Sequence, residues 1–147
     1  MSCKYRLLQL TNNSIGAVAA AAVLPLGVVS RKVANESKCV NTFEVTTTSN
    51  NVIYINEPGY YKILYTGSLD VVAAGSIVVN LEVNNVVVST ATVTATAAGT
   101  VPVTISFVIR VLGNCCNTVN LPQVLQFRNN GIALTGGNSN IVIEKIY

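Results

Sequence analysis

Six carboxylates, four thiols and no imidazole are all that this 147-residue chain offers for chemistry. Without His, neither a Ser-His-Asp nor a Cys-His arrangement can be assembled. Asp70 is the sole Asp, and the five Glu residues (Glu36, Glu44, Glu57, Glu82, Glu144) are scattered along the chain. Glycoside hydrolysis needs two acids flanking one bond, and Glu44, Glu57 and Glu82 could converge in space. Such clefts are lined with aromatics, however, and the chain has no Trp. Glu57, inside Asn56-Glu-Pro-Gly59, reads as a solvent-facing turn residue. Calcium wants several carboxylate oxygens in one loop. The Gly136-Gly-Asn-Ser-Asn140 stretch offers only carbonyls and amides, and reads as a plain turn. Phosphate-cradling Gly-rich patterns are absent. The expectation is a protein that is not an enzyme and uses no cofactor and no metal.

The thiols point the same way. Cys115 and Cys116 are adjacent, and a disulfide between neighbours closes only through a strained eight-membered ring. No Cys-x-x-Cys spacing occurs, which removes the usual zinc frameworks. Reduced cysteines in a protein assembled in the cytoplasm are expected, with a Cys39 staple to Cys115 or Cys116 as the alternative.

Half of the residues are apolar and 10% are charged, against a usual figure of about 25%. That is too little charge to coat a monomer, so copies of the chain or a partner should cover part of its surface. A membrane does not fit. The longest apolar stretch, Ile15 to Val29, contains Pro25 and two glycines and falls short of the ~20 residues of a spanning helix. An outer-membrane barrel would want aromatic girdles, and the chain has nine aromatic residues in all. The net charge of +3 is spread out. Lys4, Arg6, Arg31, Lys32 and Lys38 make the N-terminal part basic without forming a nucleic-acid patch.

The elements that would carry any site are strands. Val52–Ile55 and Tyr60–Asp70 flank the Pro58-Gly59 turn, and from Tyr60 the side chains alternate with a period of two. Val40–Thr48, Ser76–Asn84, Val86–Thr96, Val101–Leu112, Val119–Arg128, a short Ile132–Leu134 and a final Asn140–Tyr147 complete the set. Asn84-Asn85 reads as a hairpin turn and Gly136-Gly137 as another. Roughly seven to nine strands at about 8–12-residue spacing mean an all-β sandwich, jelly roll or barrel. Tyr61, Ile63, Tyr65, Ile105, Phe107, Ile109, Ile141 and Ile143 are its expected core and assembly residues. Val78 and Val108 interrupt otherwise polar faces, as expected of a sandwich packed against neighbours.

Two units are expected: an N-terminal arm, residues 1–38, and a β-domain, residues 39–147. Within the arm, a helix over Ser14–Leu24, capped by Ser14 and ended by Pro25, competes with an extended segment lying on a neighbour. A secretory signal fits less well, because Gln9 and Thr11–Ser14 interrupt the apolar run. Leu7, Leu8, Leu10, Ile15, Val18, Leu24 and Leu26 are the expected contact residues of the arm.

The turn followed by Gly59-Tyr-Tyr-x-Ile63 resembles the start of a central strand in jelly rolls of the tumour-necrosis-factor and complement-C1q type. More of the chain resembles small virion proteins of tailed bacteriophages, among them head-fibre and capsid-decoration proteins of gut phages related to the crAss-like group. That resemblance rests on Ser14-Ile-Gly-Ala-Val-Ala19, Val23-Leu-Pro-Leu-Gly-Val-Val29 with Arg31-Lys32, Cys39-Val-Asn-Thr-Phe43, Glu57-Pro-Gly-Tyr-Tyr61 and Cys115-Cys116. The domain is also similar to the jelly rolls of spore-surface collagen-like proteins, although no Gly-x-y repeat is present. The resemblance implies a homotrimer on the exterior of a virion, held to the major capsid or another virion protein by its N-terminal arm. The alternative it leaves is a displayed glycan- or receptor-binding module, with Tyr54, Tyr60 and Tyr147 as sugar platforms. A secreted C1q-like module would require the signal-peptide reading.

Overall fold

The computed structural model describes residues 5–33, 36–37, 40–48, 50–112 and 122–147. All four cysteines, Lys4 and Lys38 lie outside the described residues, so the expectations about thiols rest on sequence alone. Among the described residues twelve strands follow one another: β1 (Leu7–Asn12), β2 (Val28–Val33), β3 (Glu36–Ser37), β4 (Val40–Asn41), β5 (Phe43–Thr46), β6 (Val52–Ile55), β7 (Gly59–Val71), β8 (Gly75–Val83), β9 (Val86–Ala95), β10 (Gly99–Val111), β11 (Gln123–Asn129) and β12 (Gly136–Lys145). Apart from the small β3–β4 pair, they build two five-stranded antiparallel sheets. Sheet I has the order β10-β7-β12-β1-β2 and sheet II the order β5-β6-β11-β8-β9. The chain alternates between the sheets, as β6 to β7, β9 to β10 and β11 to β12, so most of the pairing is non-local. This is a jelly-roll sandwich.

The inward rows are those the alternation implies. Tyr61, Ile63, Tyr65, Ile105, Ile109, Ile141 and Ile143 are buried in one core cluster with Ile53, Ile77, Leu81, Leu125 and Phe127; Phe107 is half-buried and packs against it. Tyr65 and Phe127 stack across the two sheets with ring centroids 4.8 Å apart, and Phe43 meets Tyr61 edge-on at 5.9 Å. The Tyr65 ring folds over Gly67, two residues along the same face. A Cβ on Gly67 would lie 3.0 Å from the ring and its hydroxyl. Gly67→Ala should therefore push the ring off Phe127 and cost about 1–3 kcal/mol, as overpacked cores do. Urea unfolding would show a lower midpoint with an unchanged slope.

The N-terminal segment departs from expectation. β1 lies inside sheet I, between β12 and β2, with Leu8 opposite Ile143 and Leu10 opposite Ile141. Leu7, Leu8, Leu10, Ile15, Val18, Leu24 and Leu26 are 0–6% exposed, and all but Leu7 belong to the single core cluster. The boundary expected at residue 38 therefore does not separate an arm from a domain, and those side chains are not open to a capsid. The expected helix over Ser14–Leu24 is replaced by extended chain across the open end of the sandwich. Ile15 donates to the Gly137 carbonyl, Val18 and Leu134 exchange bonds, and Leu24 donates to Phe127. The backbone turns at Gly16, Ala21 and Gly27, all with positive φ. Ala favours helix by a few tenths of a kcal/mol per residue, roughly, and burial of four large side chains outweighs that.

One expected turn holds, and one turn and one short strand do not. Asn84 and Asn85, with φ of 51° and 65°, make the tight β8–β9 hairpin as expected. Gly136-Gly137 is not a turn but the start of β12, opposite Asp70 and Leu69. A Cβ at Gly137 would collide with the Ser68 carbonyl. The expected strand at Ile132–Leu134 shrinks to the single bridge between Leu134 and Val18.

Candidate assembly face

The outer surface of sheet I carries its charges at its borders and leaves the middle of β1, β12, β7 and β10 uncharged. Register aligns its outward side chains in rows across the strands. One row holds Gln9, Val142, Leu64 and Ser106; the next holds Thr11, Asn140, Thr66 and Thr104; a third holds Asn138, Ser68 and Pro102. On β1, β12, β7 and β10 no charged side chain stands in these rows; on the edge strand β2, Arg31 continues the first of them beside Gln9. Lys62 and Glu144, opposite each other, mark one border and Asp70 the other. Small residues leave a depression of about 380 Å³ around Thr66, Ser68, Pro102 and Asn138. Its hydroxyls and amides partly satisfy one another. Gln9 Nε2 donates to Asn140 Oδ1 at 3.1 Å, and Thr66 Oγ1 donates to the Asn140 carbonyl at 3.3 Å. Apolar, hydroxyl and amide groups, uncharged across these four strands, present little to repel a second copy.

The border toward the start of β7 is pinned by Glu57. Its carboxylate accepts from Arg6 Nε at 2.9 Å, Thr42 Oγ1 at 2.7 Å and Lys145 Nζ at 2.9 Å. Its carbonyl accepts from the Tyr61 hydroxyl at 2.7 Å. Burial disfavours the Glu57 charge, but the bonds from Thr42, Lys145 and Arg6 outweigh it and hold the carboxyl below its ordinary range. Burial, with the Glu57 charge alongside, drives the Tyr61 phenol upward, so it stays neutral and remains a donor. Glu57 is thus a fastening between the start of β1, the entry to β5 and the end of β12, and not the solvent-facing residue expected. The three donors to its carboxylate lie 15 to 88 positions away, and only the turn and the charge are visible locally.

The other acids stay apart. Glu82 on β8 pairs with Arg128 on β11 at 3.0 Å, whereas Glu44 stands on β5 opposite Tyr54. The structure does not gather Glu44, Glu57 and Glu82 into one cleft. Among the described residues no group of three His, Cys, Asp or Glu side chains could hold a metal ion. Of the three tyrosines expected as sugar platforms, Tyr60 and Tyr147 meet edge-on at 6.2 Å, and Tyr54 belongs to sheet II.

The architecture is that of the tumour-necrosis-factor and C1q jelly rolls. The globular domain of zebrafish complement 1qA protein superposes with a TM-score of 0.69 at 12% identity, covering 97% of this chain and 98% of that one. Eiger TNF from S. frugiperda gives 0.67 at 11% identity over 97% and 93%. The PRD1 vertex protein P5 gives 0.59 at 19% identity over 97% of both chains. No protein-family model and no curated protein sequence matches the chain. These likenesses define a fold class, and they span the N-terminal strands as well as the rest.

Proposed function

We propose that this chain is a non-enzymatic structural protein of a bacteriophage particle, a homotrimeric head fibre or decoration protein on the capsid exterior. The observation that carries the reading is the uncharged middle of the outer face of sheet I, three rows deep across β1, β12, β7 and β10. Such a face gains by burial against copies of itself, where a solvated sheet would carry charge. The full-length likeness to a vertex protein supports placement on a particle. Attachment to a capsid partner then falls to what the N-terminal region exposes. The edge strand β2 presents Val28 and Val29, with Arg31 and Lys32, outside the sandwich.

Light scattering after size exclusion tests the assembly. The wild-type chain should run at three times its own mass. Leu64→Lys, in the first of the uncharged rows, should run as a monomer with an unchanged circular-dichroism spectrum. A monomeric wild type, or a trimer indifferent to Leu64→Lys, overturns the face. Immunogold labelling of intact particles from the source culture tests the location, and unlabelled particles overturn it.

A further inference from the structure

Beyond the uncharged rows, the end of sheet I beside the Glu57 fastening holds a second cleft, of about 250 Å³, lined by Pro58, Gly59, Tyr60, Arg110, Leu112 and Tyr147. We propose that it binds an acidic saccharide, one pyranose ring on the tyrosine faces with its carboxylate on Arg110. This adds a ligand to the structural role and does not depend on it.

Three observations lead there. The first is the aromatic pair. Tyr147 is 88% exposed and Tyr60 39%, yet their rings meet edge-on, which leaves ring faces open to the C–H surface of a sugar. Their backbones are pinned together: Tyr60 N donates to the Tyr147 carbonyl at 3.1 Å, and Ile146 N to the Tyr60 carbonyl at 2.8 Å. Gly59 permits this approach, since a Cβ there would lie 2.6 Å from Lys145 Cε and 2.7 Å from the Tyr147 carbonyl oxygen. The platform is therefore positioned by main chain.

The second is charge. The Arg110 guanidinium lies 5.7 Å from the centre of the Tyr60 ring and pairs with no carboxylate among the described residues. The nearby Glu57 is already taken by two cations, Arg6 and Lys145, and Glu144 faces Lys62 across the β7–β12 register. This end of the sheet carries an excess of positive charge. A planar guanidinium held over a ring presents its N–H fork to a carboxylate, and one such group suits a monoanion better than a phosphate dianion.

The third is size. Pockets that enclose a whole drug-sized ligand run to about 300–1,000 Å³. This cleft is smaller and admits one ring, such as a terminal uronic or sialic acid residue.

The test uses the full chain, titrated separately with methyl glucuronide, N-acetylneuraminic acid and, as neutral control, methyl glucoside. Chain amide shifts would be followed by NMR, and tyrosine fluorescence serves as a second readout because no Trp obscures it. One of the two acids should bind saturably in the millimolar range, shifting the amides of Tyr60, Arg110 and Tyr147. Methyl glucoside should bind at least tenfold more weakly, and added NaCl should weaken the acid's binding. Arg110→Gln and Tyr147→Ala, both at exposed positions, should each lose tenfold or more while melting as the wild type does. No saturable shift with either acid, equal binding of the neutral glycoside, or an unchanged Kd in Arg110→Gln overturns the proposal. Loss of trimer mass in scattering would count against the structural reading alone.

Discussion

A chain lacking residues 1–38 should not fold. The deletion removes β1 and β2 together from sheet I, leaving the long β12 strand as an unpaired edge. It also removes Leu8, Leu10, Ile15, Val18, Leu24 and Leu26 from the core cluster. Losing one buried Leu or Ile side chain typically costs about 2–5 kcal/mol. A domain of this size has only about 5–15 kcal/mol in total, so six such losses exceed it. The Ile15–Leu24 segment further supplies backbone partners for Phe127, Asn129, Leu134 and Gly137. Those groups would be left inside without bonds. The expected result is a product that elutes as aggregate and shows no cooperative transition by calorimetry. A truncated chain with native near-ultraviolet circular dichroism and a sharp melt would mean that residues 1–38 are an appendage after all.

What the sequence disclosed, and what it withheld, follows the range of the interactions. The β7 alternation and the Asn84-Asn85 hairpin are local patterns, and the structure reproduces both. The inward rows of β7, β10 and β12 were readable because a period of two fixes which side chains share a face, whatever strand lies opposite. The N-terminal segment misled because Ala propensity and Pro25 act locally. The bonds that decide its path go to residues more than a hundred positions away. Alternation places Gly67 on the inward face of β7, but no spacing reveals that the Tyr65 ring fills the space a side chain there would take. The uncharged rows of sheet I depend on register among four strands, which spacing alone does not supply. Glu57 shows the same limit, since Arg6, Thr42 and Lys145 share no sequence neighbourhood with it.

Replacing Glu57 with Gln should destabilise the fold at neutral pH and change how stability responds to acid. Arg6 is 4% exposed and sits against the Glu57 carboxylate, so the substitution removes the negative charge facing a cation in a nearly dry position. Breaking a fully buried pair costs about 3–5 kcal/mol. The Glu57 side chain keeps 19% exposure, and Lys145 can turn to water, so about 2 kcal/mol is the expected loss. For a domain of this length that lowers the melting temperature by roughly 4–8 °C. The pH dependence follows from the direction of the shift. Glu57 titrates below its ordinary value of 4.5 in the folded chain. The unfolded chain therefore takes up the proton first as the solution is acidified. The stabilisation is complete above the ordinary carboxylate range and disappears as pH falls through the lower, folded value. Melting curves of the two proteins should thus lie apart at pH 7 and converge as the pH falls through the folded Glu57 value, as the wild type loses what the variant never had. The Tyr61 phenol, pushed upward by burial, remains protonated throughout and adds no step of its own. If the gap between wild type and Glu57→Gln stayed constant from pH 7 to 3, the fastening would be a matter of shape. The three donors around Glu57 would then be holding an oxygen and not a charge.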